Sequence, residues 1–423
     1  MRLAAWLATG LIAGAASPSL GLAQEAPYQA RPLPPPGAST CPGGLCGAET
    51  LAPLFQALAE TEAGSRRAPT HIVQIGDSHT AGDRMTGAVR AALQTRFGNG
   101  GRGVLPAGIP HEAYAPLQVH VAADGWINTP APLAPRGGFQ RAGVGLAGIN
   151  PPVYGRAPAL ILTFDPGAEP GLVRLCGRGG PEAEGFHIRL ETGWIPFDLR
   201  RPTPGPTCVR QRVPTPPSSL ELRAEGRNAL AYDLSVEKDG PGVVVSNLGV
   251  VGATLRDLAA RDEAVVAAEL AEWTPALIII AFGTNEGFED DLDPAAYETL
   301  LRGQIMRLKR LSPGSALMVL GAPDALRTGA ADPCSADGRR APPPSLAVVR
   351  NVQRRVAADT GVAYWDWHGR MGGDCASDRL ATMAEPLMRR DRVHFTSAGS
   401  DWIGGVMAAD LTAAYDRWKG EGR

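Results

Sequence analysis

Ser78 lies in Gly76-Asp77-Ser78-His79, at the end of a predicted strand over His71–Ile75 and just before a helix. A serine at that point projects from the carboxyl edge of an open α/β sheet, where ligands bind. Taken alone, the tetrapeptide reads first as a turn followed by a helix cap. Far along the chain, Asp391-Arg-Val-His394 stands just before the last predicted helix. A serine nucleophile needs a base within hydrogen-bond reach, and the base needs an orienting acid. Three residues of separation let a loop carboxylate turn back on the imidazole of its own loop. Taken alone, this pair too reads as a surface turn.

Two further segments add donors at strand ends. Asn247-Leu-Gly-Val-Val-Gly252 follows a strand and opens a helix. Glycine has no Cβ, so the Gly252 N–H could approach a substrate closely. Gly283-Thr284-Asn285 follows a buried strand and could present the Asn285 amide at the same edge. With the Ser78 N–H these make three donors for a developing oxyanion. In a well-studied protease the loss of one such donor costs about 2.7–4 kcal/mol of barrier. The bland alternative for each glycine is a plain turn.

In this order the four segments resemble the SGNH hydrolases, also called the GDSL family. The family's Ser, Gly, Asn and His blocks fall on Ser78, Gly252, Asn285 and His394, and its Asp three residues before the His falls on Asp391. The resemblance covers 70–110 and 243–415. It implies a three-layer α/β fold with a flavodoxin-like parallel sheet. It also implies an acyl-enzyme on Ser78, with no metal or organic cofactor. Two positions depart from the family: block one reads Gly-Asp-Ser-His and block three Gly-Thr-Asn-Glu. Gly76-Asp-Ser-His-Thr-Ala-Gly-Asp83 and Arg96-Phe-Gly-Asn-Gly-Gly-Arg-Gly103 are similar to the bacterial peptidoglycan O-acetylesterases. That likeness implies an O-acetylated cell-envelope polysaccharide as substrate and an inserted β-domain like a carbohydrate-binding, jelly-roll module. Two alternatives stay open: an O-acetyltransferase using the same triad, and a carbohydrate-binding protein with little catalysis. A base must be neutral to act, so activity is expected to fall on acidification.

These residues need a scaffold, and the periodicity supplies one. Leu51, Leu54, Phe55 and Leu58 keep helical spacing, as do Met85, Val89, Leu93 and Phe97. From about 115 to 240 the alternation of strand and helix stops. Short runs such as Leu160–Phe164, Gly171–Leu175, Phe186–Leu190 and Leu220–Arg223 read as strands between turns. The α/β pattern resumes at Val243–Val245. A helix carrying Leu255, Leu258, Val266 and Leu270 follows, then the unbroken apolar run Ala276–Phe282, expected of a central strand. Asp293 and Pro294 start another helix. Strands follow at Ala316–Leu320 and Val362–Trp365, with a helix carrying Val349, Val352 and Val356 between them. A last helix begins near Thr396. The expected organisation is a signal segment 1–23, a Pro- and Gly-rich, poorly packed leader 24–48, a hydrolase domain from 49–114 and 241–423, and an inserted β-domain 115–240.

Arg2 followed by the apolar Leu3–Ala16, with Gly21-Leu22-Ala23 as a small-x-small site, reads as a secretion signal cut before Gln24. The expected location is periplasmic or secreted. No later stretch of about 20 apolar residues suggests a membrane span. The 423 residues carry a net charge of -2, which offers no field to attract nucleic acid. Cys41 with Cys46, Cys176 with Cys208, and Cys334 with Cys375 form three sequence-local pairs suited to disulfides, although six cysteines allow about 15 connectivities. A zinc site is the competing reading, weakened by the absence of Cys-x-x-Cys. His368, near Asp366, is a rival base. Gly98–Gly103 lacks the Lys-Ser/Thr ending of a phosphate loop and reads as a helix end and loop.

Overall fold

The computed structural model describes residues 33–129, 131, 133–135, 141–190, 193–329 and 333–422. The signal reading over 1–23 lies outside them. Met1–Pro35 is a unit apart from Pro36–Arg423, and every element below belongs to the second. In chain order these are β1 (Leu45–Cys46), α1 (Ala52–Glu62), β2 (Thr70–Gly76), α2 (Ser78–Ala81) and α3 (Arg84–Phe97). A run of strands follows: β3 (Gly101–Pro106), β4 (Val119–Ile127), β5 (Val153–Phe164), β6 (Leu172–Gly179), β7 (Phe186–Leu190), β8 (Gly193–Phe197), β9 (Gly205–Arg212), β10 (Ser219–Ala224), β11 (Ala231–Glu237) and β12 (Val243–Gly249). Then come α4 (Leu255–Ala259), α5 (Glu263–Trp273), β13 (Leu277–Ala281), α6 (Thr284–Gly287), α7 (Pro294–Leu311) and β14 (Ala316–Leu320). The chain ends with the short pair β15 (Arg327–Thr328) and β16 (Arg340–Ala341), then α8 (Pro344–Thr360), β17 (Ala363–Trp365), α9 (Trp367–Met371), α10 (Ala376–Ala381) and α11 (Ser397–Gly420).

The six-stranded sheet has the order β1-β17-β14-β13-β2-β12. All its pairings are parallel except the β1 edge. Without that edge, the order of the five parallel strands is 2-1-3-4-5 in their own sequence numbering, the flavodoxin-like doubly wound arrangement. Alternate residues of each strand feed opposite cores, as the two-residue period requires. Ile72, Ile279 and Met318 pack with Leu54, Val89 and Ile403 of α1, α3 and α11. Val73, Ile278 and Val319 pack with Leu270, Leu301 and Val349 of α5, α7 and α8. The result is helix, sheet, helix in three layers.

The strands from β3 to β11 form two antiparallel sheets, β4-β5-β10-β7-β8 and β3-β11-β6-β9. Their apolar faces share one core, with Leu105, Leu162, Leu175, Phe186 and Leu222. Among the described residues this stretch holds no helix. The Cys176–Cys208 disulfide joins directly opposed residues of β6 and β9.

Three local expectations are corrected. Gly98 ends α3 at φ 92°, but Gly101–Pro106 is then a strand paired with β11, not loop. So the antiparallel sheets begin before residue 115. The helix expected across Leu255–Leu270 is two, because the Asp262 carboxylate caps a new start by accepting from the Ala264 and Val265 N–H groups. The leader is not poorly packed from Pro36 on. Leu45 is buried on an edge strand of the main sheet, and Cys41, buried too, is bonded to Cys46. The third disulfide joins Cys334 to Cys375 at the start of α10.

Candidate active site

The site grows from the ends of three neighbouring strands. Gly249 of β12 and Ala281 of β13 are both in register with Gly76 of β2. Ser78, Gly252 and Asn285 leave the sheet two, three and four residues beyond those ends. β2 and β13 flank the point where the strand order reverses, the place at which doubly wound sheets open a crevice. A Cβ on Gly76 would lie 2.5 Å from the Ala281 carbonyl, and one on Gly249 2.1 Å from the Ala81 nitrogen. Only glycine allows the strands to turn so closely against α2.

Ser78 is the first residue of α2, whose cap is Asp77, accepting from the His79 N–H. Its Oγ is 3.0 Å from His394 Nε2. His394 Nδ1 is 2.9 Å from Asp391 Oδ2. Asp391 Oδ1 accepts the Val393 and His394 backbone N–H groups at 2.9 and 3.0 Å. Partial burial would raise the Asp391 pKa, but these donors outweigh it and hold the carboxyl below its usual range. The acid is therefore ionised, and Nδ1 carries the proton that leaves Nε2 free to accept.

The loop bearing the pair is held from below. Arg392, at φ 60°, donates from Nε to Asp378 at 2.9 Å, and its carbonyl accepts from Leu326 N–H. Arg389 N–H donates to the His394 carbonyl at 2.7 Å.

Gly252 takes φ +77°, a conformation side chains avoid, and a Cβ would reach within 3.3 Å of Leu133. Asn285 Nδ2 donates to the Ala253 carbonyl at 2.8 Å, which ties the two donor blocks together. Glu286 next to it reinforces the tie by accepting Leu255 N–H at 2.7 Å. Burial pushes the Glu286 carboxyl up to about 7, against the pull of that N–H. So Ser78, Gly252, Asn285, Asp391 and His394 are brought to one edge of the sheet.

His368 is not with them. Its Nε2 pairs with Asp374 at 2.9 Å, while Asp366 accepts from Ser39, Thr40 and Gly369 instead. Asp324, His368 and Asp374 offer ligand atoms within 4.8 Å of one another, but the Arg350 guanidinium already stands 3.4 Å from Asp374. In the sequence His79 stands out only as a departure in block one. In the fold it touches both halves of the triad.

Residues 217–402 match the GDSL-like Lipase/Acylhydrolase family. That stretch contains Gly252, Asn285, Asp391 and His394 and leaves Ser78 outside, beyond the antiparallel sheets. No curated protein matches the chain. A solved peptidoglycan O-acetylesterase superposes with a TM-score of 0.73 at 23% identity, over 88% of this chain and 99% of that one. A GDSL-like lipase from Parabacteroides merdae aligns over 42% of this chain and 73% of its own, at 19% identity and a TM-score of 0.28. A carbohydrate esterase of family 2 from Corynascus thermopiles, with a carbohydrate-binding domain, aligns over 61% and 94%, at 12% identity and a TM-score of 0.29. Residues 217–402 are thus similar to the GDSL-like acylhydrolases, and the fold of the chain is similar to that of the peptidoglycan O-acetylesterase.

Proposed function

We propose that this protein is a serine esterase that removes O-acetyl groups from a cell-envelope polysaccharide, most readily peptidoglycan, through an acyl-enzyme on Ser78. The observation that carries the reading is the continuous hydrogen-bonded line Asp391–His394–Ser78 beside two donor blocks. His394 Nε2 takes the Ser78 proton as Oγ attacks the ester carbonyl. Asp391 holds the tautomer and stabilises the imidazolium that forms. The Ser78 and Gly252 N–H groups and the Asn285 amide receive the oxyanion. His394 then gives its proton to the leaving sugar oxygen. Water, deprotonated by the same nitrogen, releases acetate.

The choice of a glycan rests on the likeness in fold to the peptidoglycan O-acetylesterase, which extends through the antiparallel sheets. An extracytoplasmic location is supported by three disulfides, which persist in oxidising compartments. No described helix is long and apolar enough to cross a membrane.

Acetate release from O-acetylated peptidoglycan, acetylated xylan and an acetylated exopolysaccharide tests the substrate. Peptidoglycan is expected to give the highest kcat/KM. Preference for xylan would overturn the choice of glycan, and a Ser78→Ala protein as active as wild type on nitrophenyl acetate would overturn the chemistry.

A further inference from the structure

His79 follows the serine, and its ring is 5% exposed. Both of its nitrogens face acceptors. Nδ1 is 3.2 Å from Asp77 Oδ1, and Nε2 is 3.0 Å from the Val393 carbonyl. A neutral imidazole has one N–H and one lone pair, so it would aim a lone pair at an oxygen on one side. Only the imidazolium satisfies both contacts. Asp77 Oδ1 already accepts His79 N–H at 2.9 Å and is thus engaged as an acceptor. Trp367 closes the ring edge-on at 5.3 Å, and Phe395 lies 6.1 Å away.

The His394 ring lies 5.4 Å from that of His79, tilted by 32°. We propose that His79 is a buried imidazolium that ties the Ser78 turn to the Asp391–His394 loop and sets the position of His394. The inference rests on the esterase reading for its kinetic part only. The positioning follows from Val393, the residue before the base, being held through its carbonyl. Burial works against the charge on His79, but the Asp77 carboxylate, the Val393 carbonyl and, more weakly, Asp391 overcome it and raise its pKa. The charged and titratable groups facing the ring are Asp77 from its own turn and Asp391 and His394 from the opposite loop.

Two measurements on the full chain test this. In Ser78→Ala protein labelled with nitrogen-15 histidine, one of the seven histidines is expected to keep both ring nitrogens protonated at pH 8, and that signal should vanish with His79→Gln. Neutral His79 at pH 7 would overturn the proposal whatever the protein hydrolyses. The second is kcat and KM for nitrophenyl acetate, measured separately. His79→Gln keeps a donor for Val393 and should lower kcat by no more than a few-fold, whereas His79→Leu removes it and should lower kcat by about tenfold with KM little changed. Wild-type kcat in His79→Leu, or equal losses in both variants, would overturn it. Wild-type protein with no esterase activity would instead sink the esterase reading and leave the nitrogen-15 result to decide the charge.

Discussion

Two regions of this molecule place carboxyl groups among fixed partners, one at the surface and one in the core, and they treat them in opposite ways. At the sheet edge, Asp391 is 45% exposed and accepts two backbone N–H groups and an imidazole. It stays charged. Where β11 meets α5, Asp233 and Glu269 press their carboxyls together, fully buried. Among the described residues neither Asp233 oxygen has a partner under strict hydrogen-bond geometry, and Glu269 has only the Leu146 N–H at 2.8 Å. Burial pushes Glu269 up to about 7 and Asp233 well above its usual range, and Glu269 adds to the rise of Asp233 while Asp233 holds Glu269 down. The pair is best satisfied by sharing a proton. Depth and the supply of aimed N–H groups decide the charge together.

The largest break in this contrast should come at Asp391. Asp391→Asn keeps the shape and removes the charge that fixes the tautomer. Steady-state kinetics should show kcat/KM falling by about a thousandfold or more, with the melting temperature little changed. A loss under tenfold would mean that Asp391 is not the orienting acid.

The buried pair should answer in stability. Glu269 rises from 4.5 to about 7 on folding. Between those values the folded chain holds a proton that the unfolded chain has lost, so stability falls as pH rises through that window. The contribution is of the order of a few kcal/mol. Melting curves from pH 4.5 to 8 should show the decline, and Glu269→Gln should flatten it. A variant with the same slope as wild type would place the titration elsewhere.

The smallest effect on activity should come from the support beneath the triad. Arg392→Gly relieves a left-handed backbone but removes the cation of a largely buried ion pair with Asp378. The loss of the pair outweighs the relief, so stability should fall by about 2–4 kcal/mol. Kinetics should show kcat/KM reduced a few-fold through looser placement of His394.

Much of the scaffold was legible because its signals are local. The apolar run around Ile278–Ile280 marks a strand buried on both faces, and Asp293 with Pro294 marks a helix start; both are as expected. The failures have a common cause. β3 looked like loop because Gly101-Arg102-Gly103 carries no period, yet Arg102 is buried against Asp83 and Asn247. The leader looked loose because its proline content hides an edge strand whose partner, Trp365, lies far along the chain. The break between α4 and α5 is hidden by apolar spacing that continues across it, and only the Asp262 cap marks it.

The site divides in the same way. The sequence alone determined which residues could do acyl chemistry, since residue type, strand-end position and the order of the blocks are properties of short segments. Only the tertiary structure decided that Gly76, Gly249 and Ala281 end at one level, so that Ser78, Gly252 and Asn285 share an edge. It also decided the part played by His79, whose second partner, Val393, lies 314 positions away. The physical reason is that a protonation state belongs to the whole shell around a group. For His79 that shell is assembled from two ends of the chain, and no local pattern can record it.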